Sequence, residues 1–376
     1  MDGATKTPYD KMRGAWLDRA SATLYFWAAR SRDRAKHKKA KMGALMISFD
    51  QIDLDWMVEV VLAGDELDRE TAAAILSCPD NRLGDLLNAT RRVREAAFAR
   101  RVKICMLRNA QSGICPEDCG YCSQSRVSKA DIPVYKMQPI ATLVAGARIA
   151  VDSGARRYCM VCSMRGPAAA DVEHLGEACD RIRAEYPALE LCLSIGLLER
   201  EHADRLKSAG AGWINHNLNT SRRFYPSICT THTYDDRVRT IANVRAAGLS
   251  TCSGGIVGMG ETDADIADLA YATRRLKIDS VPVNFLAPIK GTPLAAMNAL
   301  TPEKCLKAAC LFRLLNPGSE VRAAGGRELN LGARQGDLFD AVNSIFVNGY
   351  LTTAGWDHAR TRALIERAGY EPENGA

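Results

Sequence analysis

The 376-residue sequence predicts an α/β protein: a closed (β/α)8 barrel of the TIM type behind an N-terminal helical extension. Two observations predict it. From about residue 102, eight short apolar or β-rich runs alternate with helical ones, over the roughly 250 residues such a barrel needs. A compact cysteine run, Cys115-Pro-Glu-Asp-Cys119-Gly-Tyr-Cys122, follows the first of those runs. A barrel places its chemistry there, at the C-terminal ends of strands. A doubly wound open sheet is the other arrangement that alternation allows. Its marker would be a dinucleotide loop, and Gly258-Met259-Gly260 lacks the third glycine.

Taken in order, residues 1–45 form a basic extension, expected to be disordered or weakly helical. Residues 46–100 form a helical preamble. There Asp68 suits an N-cap, and Leu83, Leu86, Leu87, Val93 and Ala97 recur at helical spacing. Residues 101–370 form the barrel. Strands are expected at 102–107, 157–162, 189–195, 213–218, 250–257, 281–286, 320–324 and 344–347. Helices are expected at 140–152, 171–185, 199–209, 234–247, 262–276, 302–315 and 336–343.

Charge is unevenly placed. Residues 1–42 carry eleven Lys and Arg against four Asp and Glu, and the rest of the chain carries 39 against 40. The basic balance thus belongs to the arm, which argues against a nucleic-acid-binding enzyme surface. The arm's apolar patch (Trp16, Leu24, Tyr25, Phe26, Trp27) precedes its charges, the reverse of a signal sequence. A surface-binding basic segment, or a true start near Met42 or Met46, would also explain it. No apolar stretch approaches the ~20 residues that span a bilayer. Thirteen cysteines at metal-like spacing, without a secretory signal, point to a reducing compartment, the cytoplasm.

The cysteine run has the spacing CxxxCxxC. Simple electron-transfer clusters take four cysteine ligands. Here the next cysteine is the distant Cys159, so three thiolates would leave one iron with an open position. An open position binds a substrate or cofactor. A zinc knuckle and ordinary buried thiols are the alternatives. The first wants a second ligand pair nearby, and the second sits poorly with Pro116, Glu117, Asp118 and Gly120.

Further residues fall inside expected strands: Cys159, Cys192, Cys252 and Arg322. A strand cysteine is usually a small buried hydrophobe, but together these can converge on a barrel axis. Strand side chains alternate faces, so Cys159 and Cys162 point oppositely, and Cys159 is taken as the inward one. Asn215, Asn217 and Asn219 share one face if their strand persists to 218. A polar turn is the other reading. Asn284 lies in an otherwise apolar strand, where an unpartnered amide would be costly. His216 is either a general base or a hydrogen-bonded structural histidine.

These residues occur in longer ordered segments, among them GICPEDCGYCSQS, RYCMVCSMRGP, WINHNLNTSRRFY, TTHTYDDR, CSGGIVGMGE, VPVNFLAPIKGTPL, VRAAGGRE and NSIFVNGYLTTAG. From about residue 68 to 370 the chain resembles the radical S-adenosylmethionine enzymes, and within them the biotin synthase family. That resemblance implies a (β/α)8 homodimer that converts dethiobiotin to biotin with electrons from a flavodoxin- or ferredoxin-type donor. It implies a 4Fe-4S cluster on Cys115, Cys119 and Cys122. S-adenosylmethionine would bind its open iron, with contacts from Asn217, Asn219, Arg237 and Tyr121. It implies a 2Fe-2S cluster on Cys159, Cys192, Cys252 and Arg322 as sulfur donor, and substrate contacts from Asn215 and Asn284. An unactivated C–H bond is beyond side-chain acid–base chemistry, so a cofactor must supply the radical. Two features depart from the family pattern: Asn219 stands where an aspartate is common, and Cys162 is additional.

Overall fold

The computed structural model describes residues 47–298 and 300–373. The basic arm and its aromatic patch lie outside the described residues. Three helices come first: α1 (Leu54–Leu62), α2 (Arg69–Leu76) and α3 (Leu83–Phe98). Asp68 does cap α2, its carboxylate accepting from the Thr71 amide at 2.9 Å. Leu83, Leu86, Leu87 and Val93 lie on the buried face of α3.

The barrel strands are β1 (Arg101–Gln111), β2 (Arg157–Cys162), β3 (Glu190–Ser194), β4 (Trp213–Asn215), β5 (Ser250–Cys252), β6 (Gly255–Val257), β7 (Ser280–Phe285), β8 (Glu320–Ala323) and β9 (Ser344–Val347). All pair in parallel, and β9 pairs back onto β1, which closes the barrel. β5 and β6 form one interrupted stave, both lying against β7, so the staves number eight. Covered on both faces, they read as the apolar runs seen in the sequence. Between them run α4 (Ile140–Asp152), α5 (Ala169–Glu185), α6 (Arg200–Ser208), α7 (Tyr234–Ala246), α8 (Asp263–Arg275) and α9 (Pro302–Leu315). The preamble packs its α2 and α3 on α9.

Four details differ from the sequence reading. The 213–218 strand stops at Asn215: beyond it the Leu218 amide donates to Ser253 Oγ, not to a neighbouring strand's carbonyl, and Asn219 takes a left-handed φ of 70°. The 250–257 strand breaks at Ser253–Gly254: a Cβ at Gly254 would lie 2.0 Å from the Pro282 carbonyl oxygen, so the staves meet there without side chains. The expected helix at 336–343 is a 3-10 stretch, Gly332–Asp340, after a short α10 (Arg327–Leu331). A C-terminal α11 (His358–Arg367) and β10 (Glu371–Pro372) were not expected, and β10 pairs with the start of β1.

The barrel's lower lumen is charged. Arg157, fully buried, reaches Glu320 at 2.9 Å and Glu190 at 2.7 Å. Lys103 reaches the same two carboxylates at 3.5 and 2.9 Å. Arg322 pairs with Glu320. The Trp213 ring lies 3.6 Å from the Arg157 guanidinium. Burial would raise the Glu320 carboxyl, but Arg157, Arg322 and Lys103 more than reverse that, holding it well below the usual carboxylate range. Removing one partner of a buried pair leaves an uncompensated charge. We therefore expect Glu320→Gln to cost about 3–5 kcal/mol in urea unfolding at pH 7. Because the folded pKa is depressed, the loss is fully present above the unfolded carboxyl pKa of about 4.3 and shrinks as pH falls below it. A variant as stable as the parent at pH 7 would contradict this account of the floor.

Candidate active site

The eight staves open at their C-terminal ends into one cavity of about 380 Å³. Every one of the sequence-selected site residues lines it: the Cys115, Cys119, Cys122 triad, the strand set Cys159, Cys192, Cys252 and Arg322, and the Asn215, Asn217, Asn219, Arg237, Tyr121 and Asn284 group. His216 and Cys162 line it as well.

The triad sits at the mouth, on a long loop that leaves β1. No helix or strand holds this loop; side chains between the cysteines do. Asp118 accepts from the Thr230 and Thr231 amides at 2.9 and 3.2 Å, and from the Cys229 thiol at 3.2 Å. Glu117 accepts from Arg165 at 2.9 Å and lies 2.5 Å from His232 Nδ1. The Gly120 amide donates to the Ile228 carbonyl at 2.8 Å. The loop is thus clipped to residues 228–232, which lead into α7. Cys119 Sγ lies 3.7 Å from Cys229 Sγ, and their hydrogen bond pulls the Cys229 thiol down and pushes the Cys119 thiol up.

The second set lies deeper. Cys159, Cys192 and Cys252 form a buried lumen cluster with Cys105, Trp213, Ala324 and Phe346. Cys159 does face inward. Cys162, three residues on, reaches the cavity wall but stands outside the lumen thiol cluster, its sulfur 3.8 Å from Met137 Sδ. Cys192 lowers the neighbouring Cys159 thiol, and Cys159 with burial raises the Cys192 thiol. Arg322 spends Nε on Ser344 at 3.1 Å, and Nη2 on Ser280 at 3.1 Å and on Glu320. Nη1 is left facing Cys252 Sγ at 3.7 Å. Burial works against its charge, but Cys105, Glu320 and Cys252 outweigh that and hold the guanidinium protonated. It meets the thiols as a cationic donor. The donor chemistry fits clusters at both levels: soft sulfur ligands, enclosed and beside a positive charge.

Between the two sulfur sets lie the amides. Asn215 Nδ2 donates to the Cys252 carbonyl at 3.3 Å and sits 3.2 Å from its sulfur, while Asn215 Oδ1 accepts from Ser194 at 3.2 Å. Asn217 Oδ1 accepts from the Gly254 amide at 3.1 Å. Asn219 Nδ2 donates to the Tyr121 hydroxyl at 2.5 Å, joining the turn to the cysteine loop. Asn284 is also partnered: Nδ2 donates to the Gly255 carbonyl at 3.0 Å and Oδ1 accepts from the Gly325 amide at 2.9 Å. Each amide keeps valences for a ligand. Arg237 is held by the Asn217 carbonyl at 2.7 Å and by the Tyr225 hydroxyl. His216 is buried with Nε2 unpartnered, and desolvation, then Arg237, keeps it neutral.

Sequence reasoning missed four features. Cys105 is inward on β1, and the parity of that strand would have found it. Cys229 and His232 come to the triad only through the fold. Tyr350–Thr353, after β9, close over the cavity, where Thr352 Oγ1 meets Ser123 Oγ at 2.7 Å.

Comparisons define the class first. The Radical SAM superfamily matches residues 111–270, and the Biotin and Thiamin Synthesis associated domain matches 282–371. Methylornithine synthase shares the fold at a TM-score of 0.74 and 19% identity, over 85% of this chain and 97% of that one. The FeFe-hydrogenase maturase HydG of Carboxydothermus hydrogenoformans shares it at 0.72 and 16%, over 98% and 86%. The fold is that of a radical S-adenosylmethionine enzyme.

Within that class, the biotin synthase of Geobacillus kaustophilus (strain HTA426) is 49% identical over 85% of this chain and 96% of its own length. That of Bacillus subtilis (strain 168) is 46% identical over 85% and 96%. The chain belongs to the biotin synthase family.

The loop clip is testable. Asp118→Ala removes the carboxylate to which the Thr230 and Thr231 amides donate. We expect faster hydrogen exchange at the amides of residues 230 and 231. Unchanged exchange there would contradict the clip.

Proposed function

We propose that this chain makes biotin from dethiobiotin by radical sulfur insertion, with S-adenosylmethionine, a 4Fe-4S cluster and a 2Fe-2S cluster. One observation carries the reading: two sets of sulfur ligands, at the mouth and in the lumen, open into one cavity with fixed amides between them. When bound, the first cluster supplies the electron that breaks the sulfonium and yields a 5′-deoxyadenosyl radical, and the second supplies the sulfur.

The chain's own residues hold, orient and exclude water. Cys115, Cys119 and Cys122 would hold three irons and leave the fourth for the amino and carboxylate groups of S-adenosylmethionine. Arg237, fixed by Tyr225 and the Asn217 carbonyl, presents a held positive charge to that carboxylate. Asn217, Asn219 and Tyr121 complete the nucleoside side. Asn219 offers a ribose hydroxyl an amide, without the charge of an aspartate. Asn215 and Asn284 suit the urea group of dethiobiotin, which both donates and accepts. Asn215 touches Cys252, which brings that end of the substrate beside the lumen ligands. Cys159, Cys192, Cys252 and Arg322 would hold the second cluster, with Nη1 as the arginine atom turned toward it. The Tyr350–Thr353 segment shields the cavity, and a carbon radical formed there is kept from solvent.

Replacing two C–H bonds requires two hydrogen abstractions, so two molecules of S-adenosylmethionine are expected per biotin. Residues 101–370 are the catalytic unit in this reading, in a cytoplasmic homodimer served by a flavodoxin- or ferredoxin-type donor. No helix among the described residues is long and apolar enough to cross a membrane.

Cys119→Ala should abolish both S-adenosylmethionine cleavage and biotin formation. Cys252→Ala should keep cleavage measurable while biotin formation disappears. Biotin produced by Cys252→Ala at the parent rate would sink the second-cluster assignment.

A further inference from the structure

Cys229 belongs to neither sulfur set, yet it has a metal-binding environment. The ligand atoms of Cys119, Cys229 and His232 all lie within 4.8 Å of one another, and all three residues are buried. The two sulfurs are 3.7 Å apart. Two thiolates on one tetrahedral zinc, each bonded at about 2.3 Å, stand about 3.8 Å apart. A thiolate and an imidazole on the same ion stand about 3.5 Å apart. The His232 nitrogens lie 3.3 Å (Nδ1) and 3.9 Å (Nε2) from Cys229 Sγ. The two sulfurs stand as on one shared ion, and Nε2, the nitrogen that Glu117 leaves free, is within about 0.4 Å of the spacing such an ion sets. Neighbouring ligands of a four-iron cube sit on different irons and lie farther apart.

A second, independent observation points the same way. Glu117 lies 2.5 Å from His232 Nδ1, with Arg165 on its other oxygen at 2.9 Å. A carboxylate that takes the Nδ1 proton leaves Nε2 with its lone pair for a metal. Metal-binding histidines are oriented in this way. Two thiolates and one imidazole, with water in the fourth position, is a recognised zinc set.

We propose that, in the cluster-free protein, Cys119, Cys229 and His232 bind one divalent transition ion of the zinc class, with Glu117 as the positioning residue for His232. Binding releases to solvent whatever protons the two sulfurs still hold, and no electron moves. The site stands on its own geometry. Only one consequence rests on the function proposed above: Cys119 serves both sites, so this ion and a cluster on the triad exclude each other.

The test uses the full chain, stripped of metal under anaerobic conditions and titrated with zinc against a chromophoric chelator. Cobalt(II) serves as the absorbing probe. The parent should bind one equivalent, with thiolate-to-cobalt charge-transfer bands. Cys229→Ala and His232→Gln should each weaken binding at least about tenfold, and Glu117→Gln by about 10–100-fold with every ligand still present. Cys115→Ala and Cys122→Ala should bind as the parent does. Circular dichroism confirms that each variant is folded, and Glu117→Gln keeps the test open if a ligand variant is not. Parent-like binding by folded Cys229→Ala would overturn the proposal. So would losses in Cys115→Ala as large as those in Cys229→Ala, which would put zinc on the triad. Retained binding in Cys115→Ala would stand even if the triad holds no cluster.

Discussion

The structure depends on the charge balance in its lumen. Three cations, Lys103, Arg157 and Arg322, meet two carboxylates, Glu190 and Glu320, in and beneath the barrel's thiol layer. An apolar floor would generally be at least as stable as buried ion pairs. The pairs here leave one excess positive charge, and it faces thiols. Arg322 is the link: Glu320, Ser280 and Ser344 fix two of its nitrogens, and the third points at Cys252. Thiolates and sulfides are anionic, and in a low-dielectric enclosure they need such a partner. In this reading the floor is shaped by what the lumen must hold.

The mouth obeys a different constraint. Its three cysteines lie on irregular chain, which regular hydrogen bonding cannot fix. The residues between them do that work instead. Glu117 and Asp118 are spent on residues 229–232 and on Arg165. Anchoring one loop to the start of α7 also brings Arg237, on that helix, toward the same space. Asn219 adds a tie through Tyr121. Cysteine loop, amide turn and arginine are thus tied together, and they are the groups assigned above to one cofactor.

Much of this was legible in the sequence, for physical reasons. Parallel staves buried on both faces leave continuous apolar runs, clearest in β2, β7 and β9, and eight such runs alternating with helices made the barrel readable. Strand parity correctly separated Cys159 from Cys162. The triad stands out because its three cysteines are close in sequence. What escaped is set by loops, which carry no periodicity. Nothing at Cys229 or His232 shows that they fold beside Cys119. The turn at Asn219 depends on glycines at 254 and 255, more than thirty residues on. The closure by Tyr350–Thr353 depends on where β9 ends. Cys105 is different: its parity with Leu107 is readable, but a cysteine inside a strand carries no mark that separates a lumen thiol from an ordinary buried one.

In the reading proposed above, one barrel cavity serves two iron–sulfur clusters at different depths. Anaerobic reconstitution of the full chain, with iron and acid-labile sulfide counted per chain, tests it most directly. Two full sites predict about six irons and about six sulfides per chain. A saturated value of about four of each, from folded protein that cleaves S-adenosylmethionine, would contradict it.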